Sequence, residues 1–114
     1  MLIKICGITR FQDAKMAIEK GATHLGFIFH PQSSRNIKLK KAKTIMNKIR
    51  DVFSNHKIFI TGVFVDQDLE SIKNYLSELK LDCVQLHGKS AKSNLKDIKG
   101  LKYLDIRMLY VIDI

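Results

Sequence analysis

Tryptophan is absent from this sequence, proline occurs once, cysteine twice, and aromatic residues fill only 8% of its 114 positions. Cys6 and Cys83 allow at most one disulfide. No apolar run approaches the ~18 residues that a membrane-spanning helix requires. No basic segment followed by a roughly 7–15-residue apolar stretch opens the chain, so no signal peptide is read and a cytoplasmic location is expected. Low-complexity stretches and linkers are missing as well. Acidic residues are in short supply: 11 Asp and Glu against 20 Lys and Arg leave a formal net charge of +9. Such a surface attracts polyanions. The densest basic run, residues 38–43, has no interleaved aromatic on which a base could stack, so nucleic acid is not the expected partner. A coding bias that raises Lys, Ile and Asn together accounts for the lysines equally well.

What is present is an alternation. A chain of 114 residues makes one domain with a real core. Strand-like runs occupy residues 2–6, 24–29, 58–65 and 83–86, with a weaker one at 101–106. Between them, residues 11–20, 39–53, 68–79 and 91–98 have helical character. Leu69, Ile72, Tyr75, Leu76 and Leu79 recur at three- and four-residue spacing behind Asp68, which can cap the helix with Ser71 in its first turn. Leu39, Ala42, Ile45, Met46 and Ile49 repeat the pattern, and Gly21 stands where a helix should stop. The strands are nearly continuous apolar runs, which suits a parallel sheet covered by helices. The reading is a βα repeat, an α/β fold.

The chemistry gathers at strand ends. The first strand closes on Cys6 and Gly7, which sets a thiol at the mouth of a βα turn, where α/β proteins keep their sites. Side chains alternate along a strand. If Ile3 and Ile5 face the helices, Lys4 and Cys6 face inward. If Val84 and Leu86 face the helices, Cys83, Gln85 and His87 face inward. Cys6, Gln85 and His87 then share one rim, beneath the 30–38 loop that carries Pro31, Ser33, Ser34 and Arg35. Each residue also has an ordinary reading: a small buried hydrophobe for Cys6, a structural or solvated histidine for His87, a solvated loop arginine for Arg35. An inward Lys4 calls for a carboxylate partner. Cys6 ends one strand and Cys83 begins another, near opposite ends of a strand ~15 Å long, so both should stay reduced. No close-spaced pair of metal ligands and no glycine-rich phosphate loop occurs, so neither a metal nor a cofactor is expected.

Five motifs carry a resemblance. They are K-I-C-G-I-T at 4–9, G-A-x-x-x-G-F-I-F at 21–29, S-x-R-x-I at 33–37, G-V-F-V at 62–65 and V-Q-L-H-G at 84–88. In this order and spacing they resemble the phosphoribosylanthranilate isomerases, a (β/α)8-barrel family of tryptophan biosynthesis. The departures are Thr23 and His24, where the family has Asp and a small residue, Ser34 in place of a common proline, and Asn36 in place of a common tyrosine. The motifs cover about residues 2–88, and 89–114 diverge. The resemblance implies a single partial (β/α) barrel domain over 1–114, an incomplete barrel of about four to five βα units.

By resemblance the reaction is an Amadori rearrangement without a cofactor. N-(5-phosphoribosyl)anthranilate opens to a Schiff base and becomes 1-(2-carboxyphenylamino)-1-deoxyribulose 5-phosphate. The resemblance makes Cys6 the catalytic base and matches Arg35 to the arginine that meets the anthranilate carboxylate. His87 and Gln85 fall at substrate-proximal rim positions. The family's general acid ends a later strand, and its phosphate site uses the loops after strands seven and eight. Barrels of this class rarely have fewer than ~200 residues. The expectation is therefore a first-half chain, truncated and inactive alone, with open sheet edges prone to self-association. The alternatives are a non-enzymatic half-barrel remnant that associates with a second copy, and a basic nucleic-acid-binding domain.

Overall fold

Each helix forms where one apolar stripe can be buried. The computed structural model describes residues 2–87 and, as backbone, the strand Arg107–Val111. Helix α1 (Phe11–Glu19) buries Ala14 and Ile18, α2 (Leu39–Val52) buries Ala42, Ile45, Met46 and Ile49, and α3 (Leu69–Glu78) buries Ile72. Asp68 caps α3, accepting from the Ser71 N–H at 2.8 Å. After α1 the chain turns at Gly21 with φ +102°, and the Gly21 N–H donates to the Ile18 carbonyl. Each expected element over residues 2–87 is present, with bounds shifted by one or two residues.

Strands β1 (Lys4–Cys6), β2 (His24–Ile28), β3 (Phe59–Val65), β4 (Cys83–His87) and β5 (Arg107–Val111) form one sheet in the order β1-β2-β3-β4-β5, every neighbouring pair parallel. The expected helix at 91–98 and weak strand at 101–106 lie outside the described residues. The fifth described strand runs over Arg107–Val111.

Register sorts the side chains into two faces. Leu25, Phe27, Ile60, Phe64, Val84 and Leu86 point outward and join the buried helix residues in one cluster. Phe27, Phe29 and Phe64 are almost wholly buried, each removing apolar area worth about 2–3 kcal/mol. Four rows cross the inner face: Lys4–His24–Phe59, Cys6–Gly26–Thr61–Cys83, Ile28–Val63–Gln85 and Val65–His87. Cys6 and Cys83 are both free thiols. They share a row rather than lying at different heights, with two strands between them.

Candidate active site

The C-terminal strand ends form a rim, and short backbone bonds shape its first corner. Past Cys6 the chain turns through Gly7 at φ +86°, and the N–H groups of Gly7 and Ile8 both donate to the Gly26 carbonyl at 3.0 Å. Ile8, buried to 3% exposure, anchors the segment. The next loop leaves β2 through nested turns: Ser33 N–H to the His30 carbonyl, Asn36 N–H to the Ser33 carbonyl, and Ile37 N–H to the Ile28 carbonyl. Ile37 is buried, so the loop is tied down directly after Arg35.

Arg35 is thereby aimed back at β1. Its Nη1 donates to the Cys6 carbonyl at 3.1 Å. The guanidinium lies across the Gly7 turn so closely that a methyl group at position 7 would fall 2.6 Å from Arg35 Cδ and 2.7 Å from Nη1. The left-handed backbone favours glycine there, and any side chain would also have to displace the arginine above it. Arg35 remains exposed, its fork open to a carboxylate from solvent.

Cys6 is half-buried on the inner face. A methyl group on Gly26 would stand 2.9 Å from its Sγ and 3.2 Å from Lys4 Cε. The glycine in β2 thus leaves the thiol its space, a close approach the sequence pattern did not reveal. Lys4 bonds the Oε1 of Gln85 across the inner face. The expected carboxylate partner is replaced by a neutral amide, and among the described residues no acid pairs with Lys4.

Gln85 and His87 face inward on β4, half-buried, and His87 is level with Val65 at the end of β3. The inner face therefore carries Lys4, Cys6, Gln85 and His87, while Arg35 enters from the loop above Cys6. Two further rim residues escaped the sequence reading. Gln67 accepts from the Val65 N–H at 2.5 Å and donates to the Phe29 carbonyl at 2.8 Å, locking the ends of β2 and β3 together. Asp66 adopts φ +63° beside β4, its N–H donating to the His87 carbonyl at 3.3 Å. Aspartate enters that left-handed conformation more readily than most residues. Among the described residues no group of three His, Cys, Asp or Glu gathers as a metal site.

A parallel sheet in sequential order, helices on one face and a polar rim at the C-terminal strand ends define a partial (β/α) barrel. The model of the N-(5'-phosphoribosyl)anthranilate (PRA) isomerase family matches residues 3–111, and the chain belongs to that family. The N-(5'-phosphoribosyl)anthranilate isomerase of Geotalea uraniireducens is 38% identical over 112 residues, covering 94% of this chain and 53% of its own. The phosphoribosyl anthranilate isomerase structure from Thermus thermophilus superposes with a TM-score of 0.74 at 31% identity, covering 96% of this chain and 50% of its own. A further isomerase structure, in complex with reduced 1-(o-carboxyphenylamino)-1-deoxyribulose 5-phosphate, gives a TM-score of 0.71 at 31% identity, covering 99% of this chain and 66% of its own. The chain spans about half the length of the curated relatives it matches.

Proposed function

We propose that this chain supplies the base-bearing half of a phosphoribosylanthranilate isomerase site, acting in the cytoplasm on a phosphosugar–anthranilate substrate without a cofactor. Cys6, as thiolate, takes the proton from C2′ of the ring-opened Schiff base. The electron pair left at C2′ moves toward the iminium nitrogen, and the resulting enolamine relaxes to the ketone. Arg35 pairs with the anthranilate carboxylate, for which a planar fork of donors is suited. Gln85 and His87 line the floor beneath the sugar. A single partial-barrel domain spans residues 1–114, and the general acid and the phosphate cradle come from the other half of the barrel. The observation that carries this reading is the 3.1 Å bond from Arg35 to the Cys6 carbonyl, which couples the proposed carboxylate anchor to the turn bearing the proposed base. An acid or base group typically contributes 10²–10⁴-fold, so residues 1–114 without the acid should turn over negligibly.

The test joins residues 1–114 in frame to the second half of the Geotalea uraniireducens isomerase, in a tryptophan auxotroph lacking this activity. The fusion should restore growth, its Cys6→Ala form should not, and residues 1–114 alone should not. Rescue by the Cys6→Ala fusion would remove Cys6 from the mechanism. Among the described residues no strand pairs with the outer edge of β1 or β5, which supports self-association of the 114-residue chain through those edges. Gel filtration reads that directly, and a monomer would exclude it.

A further inference from the structure

Lys4 starts in the lowest inner row and ends beside Gln85 two rows higher, because its Nζ bonds the Oε1 of that residue. Cys6 occupies the row between them. The lysine stem is therefore drawn up the concave face past the level of the thiol. Gly26 marks the crossing: a methyl group there would stand 3.2 Å from Lys4 Cε and 2.9 Å from Cys6 Sγ. The two atoms are thus no more than about 6 Å apart, with the ammonium one bond further along, a range at which charges act on one another.

Lys4 is half-buried, and its bond to a neutral amide uses one of three donors and leaves its charge uncompensated. No acid pairs with it among the described residues. Across the inner rows of β1 to β4, only Cys6 and Cys83 have side chains that can carry negative charge. Cys83 is buried, whereas Cys6 is half-buried and stands on the lysine's own strand. The other titratable groups facing this space are cationic when charged. His24 bonds Thr23 and stacks on Phe59, His87 lies in the topmost row, and Arg35 donates to the Cys6 carbonyl from the loop above. The inner face of β3 contributes none.

We propose that Lys4 is a positioning residue of the site, its ammonium held by Gln85 as the electrostatic partner of the Cys6 thiolate. This rests on the reading of Cys6 as the base. A base that takes the C2′ proton must first lose its own, and a fixed cation alongside favours a thiolate over a thiol. Lys4 neither gives nor takes the substrate proton. Gln85 acts through Lys4, because an amide oxygen holds the ammonium without neutralising it. A carboxylate in its place would satisfy the lysine better and serve the thiolate worse.

Alkylation of the 114-residue chain by iodoacetamide, read by mass spectrometry at Cys6, tests the pairing without isomerase activity. Lys4→Met should slow alkylation about fivefold at neutral pH and leave it unchanged well above ~8.5, where an ordinary thiol is already ionised. Lys4→Arg keeps the charge and should stay within about twofold of the parent. Gln85→Glu should slow alkylation as much as Lys4→Met while the melting temperature holds or rises, since the new carboxylate takes up the ammonium. Gln85→Glu carries the test where Lys4→Met does not fold. In the barrel-completing fusion, Lys4→Met should lower kcat about fivefold and leave KM within about twofold. Equal slowing at neutral and alkaline pH would mean altered access to the thiol and overturn the proposal. So would neutral-pH rates indifferent to both Lys4→Met and Gln85→Glu. These rates fail only if Lys4 does not act on Cys6, whereas growth rescue by the Cys6→Ala fusion fails only the reading of Cys6 as the base.

Discussion

The ammonium of Lys4 on β1 bonds the side-chain amide oxygen of Gln85 on β4, reaching past two intervening strands. On a flat sheet those strands would lie ~14 Å apart, and no such pair of side chains would meet. The bond therefore exists because the sheet curls with Lys4 and Gln85 on its concave side, as in a barrel. It also satisfies a half-buried cation with an amide dipole instead of a counter-charge.

That geometry makes the pair separable by a double-mutant cycle. Lys4→Met and Gln85→Leu should each destabilise the fold, and the double variant less than their sum. Urea unfolding should return a coupling energy of about 1.5 kcal/mol, the ordinary value for a hydrogen bond to a charged group. Strict additivity would mean the two side chains do not support one another.

Gly7→Ala should cost about 1–2 kcal/mol from the left-handed backbone alone. It should also drive the Arg35 side chain off the turn, since the new methyl would overlap it. In the barrel-completing fusion, the expected signature is a KM raised more than kcat is lowered. Unchanged unfolding and an unchanged KM together would contradict the observed packing.

Thr61 is fully buried in the Cys6 row, and its Oγ1 has no hydrogen-bond partner among the described residues. A buried hydroxyl without a partner is a cost. Thr61→Val removes the hydroxyl at nearly constant volume and should leave the chain as stable or stabilise it by about 1 kcal/mol. A marked loss of stability, measured by urea unfolding, would show that the hydroxyl is in fact bonded.

The Ser71 N–H and hydroxyl hold the Asp68 carboxyl below its ordinary value of 3.8. A depressed folded-state value means that the ionised form is favoured by folding, so this contribution is complete above pH 3.8 and is lost as pH falls through the lower folded value. Asp68→Asn keeps a capping oxygen without the titration. Its unfolding midpoint should therefore fall less steeply than the parent's between about pH 4 and pH 2. Parallel pH profiles would dissociate the cap from acid sensitivity.

Local chemistry made the βα alternation, the α3 cap at Asp68, the stop at Gly21 and the inward faces of β1 and β4 legible in the sequence. A period of two or 3.6 is a property of consecutive residues, and solvent exposure selects one face of it. Gly7 and Arg35 could be marked as neighbours of a strand end, but their contact crosses 28 residues and depends on where Ile37 anchors the loop. The partner of Lys4, the space Gly26 leaves for the thiol and the Gln67 latch between β2 and β3 follow from register and curvature. The same holds for the shared row of Cys6 and Cys83. Those quantities are fixed only when strands distant in sequence pair and the helices pack behind them. The sequence by itself determined which residues could carry chemistry and which side of a strand they take. Tertiary packing decided which of them meet, because contact across a sheet is set by interstrand register, and register is settled by the whole core.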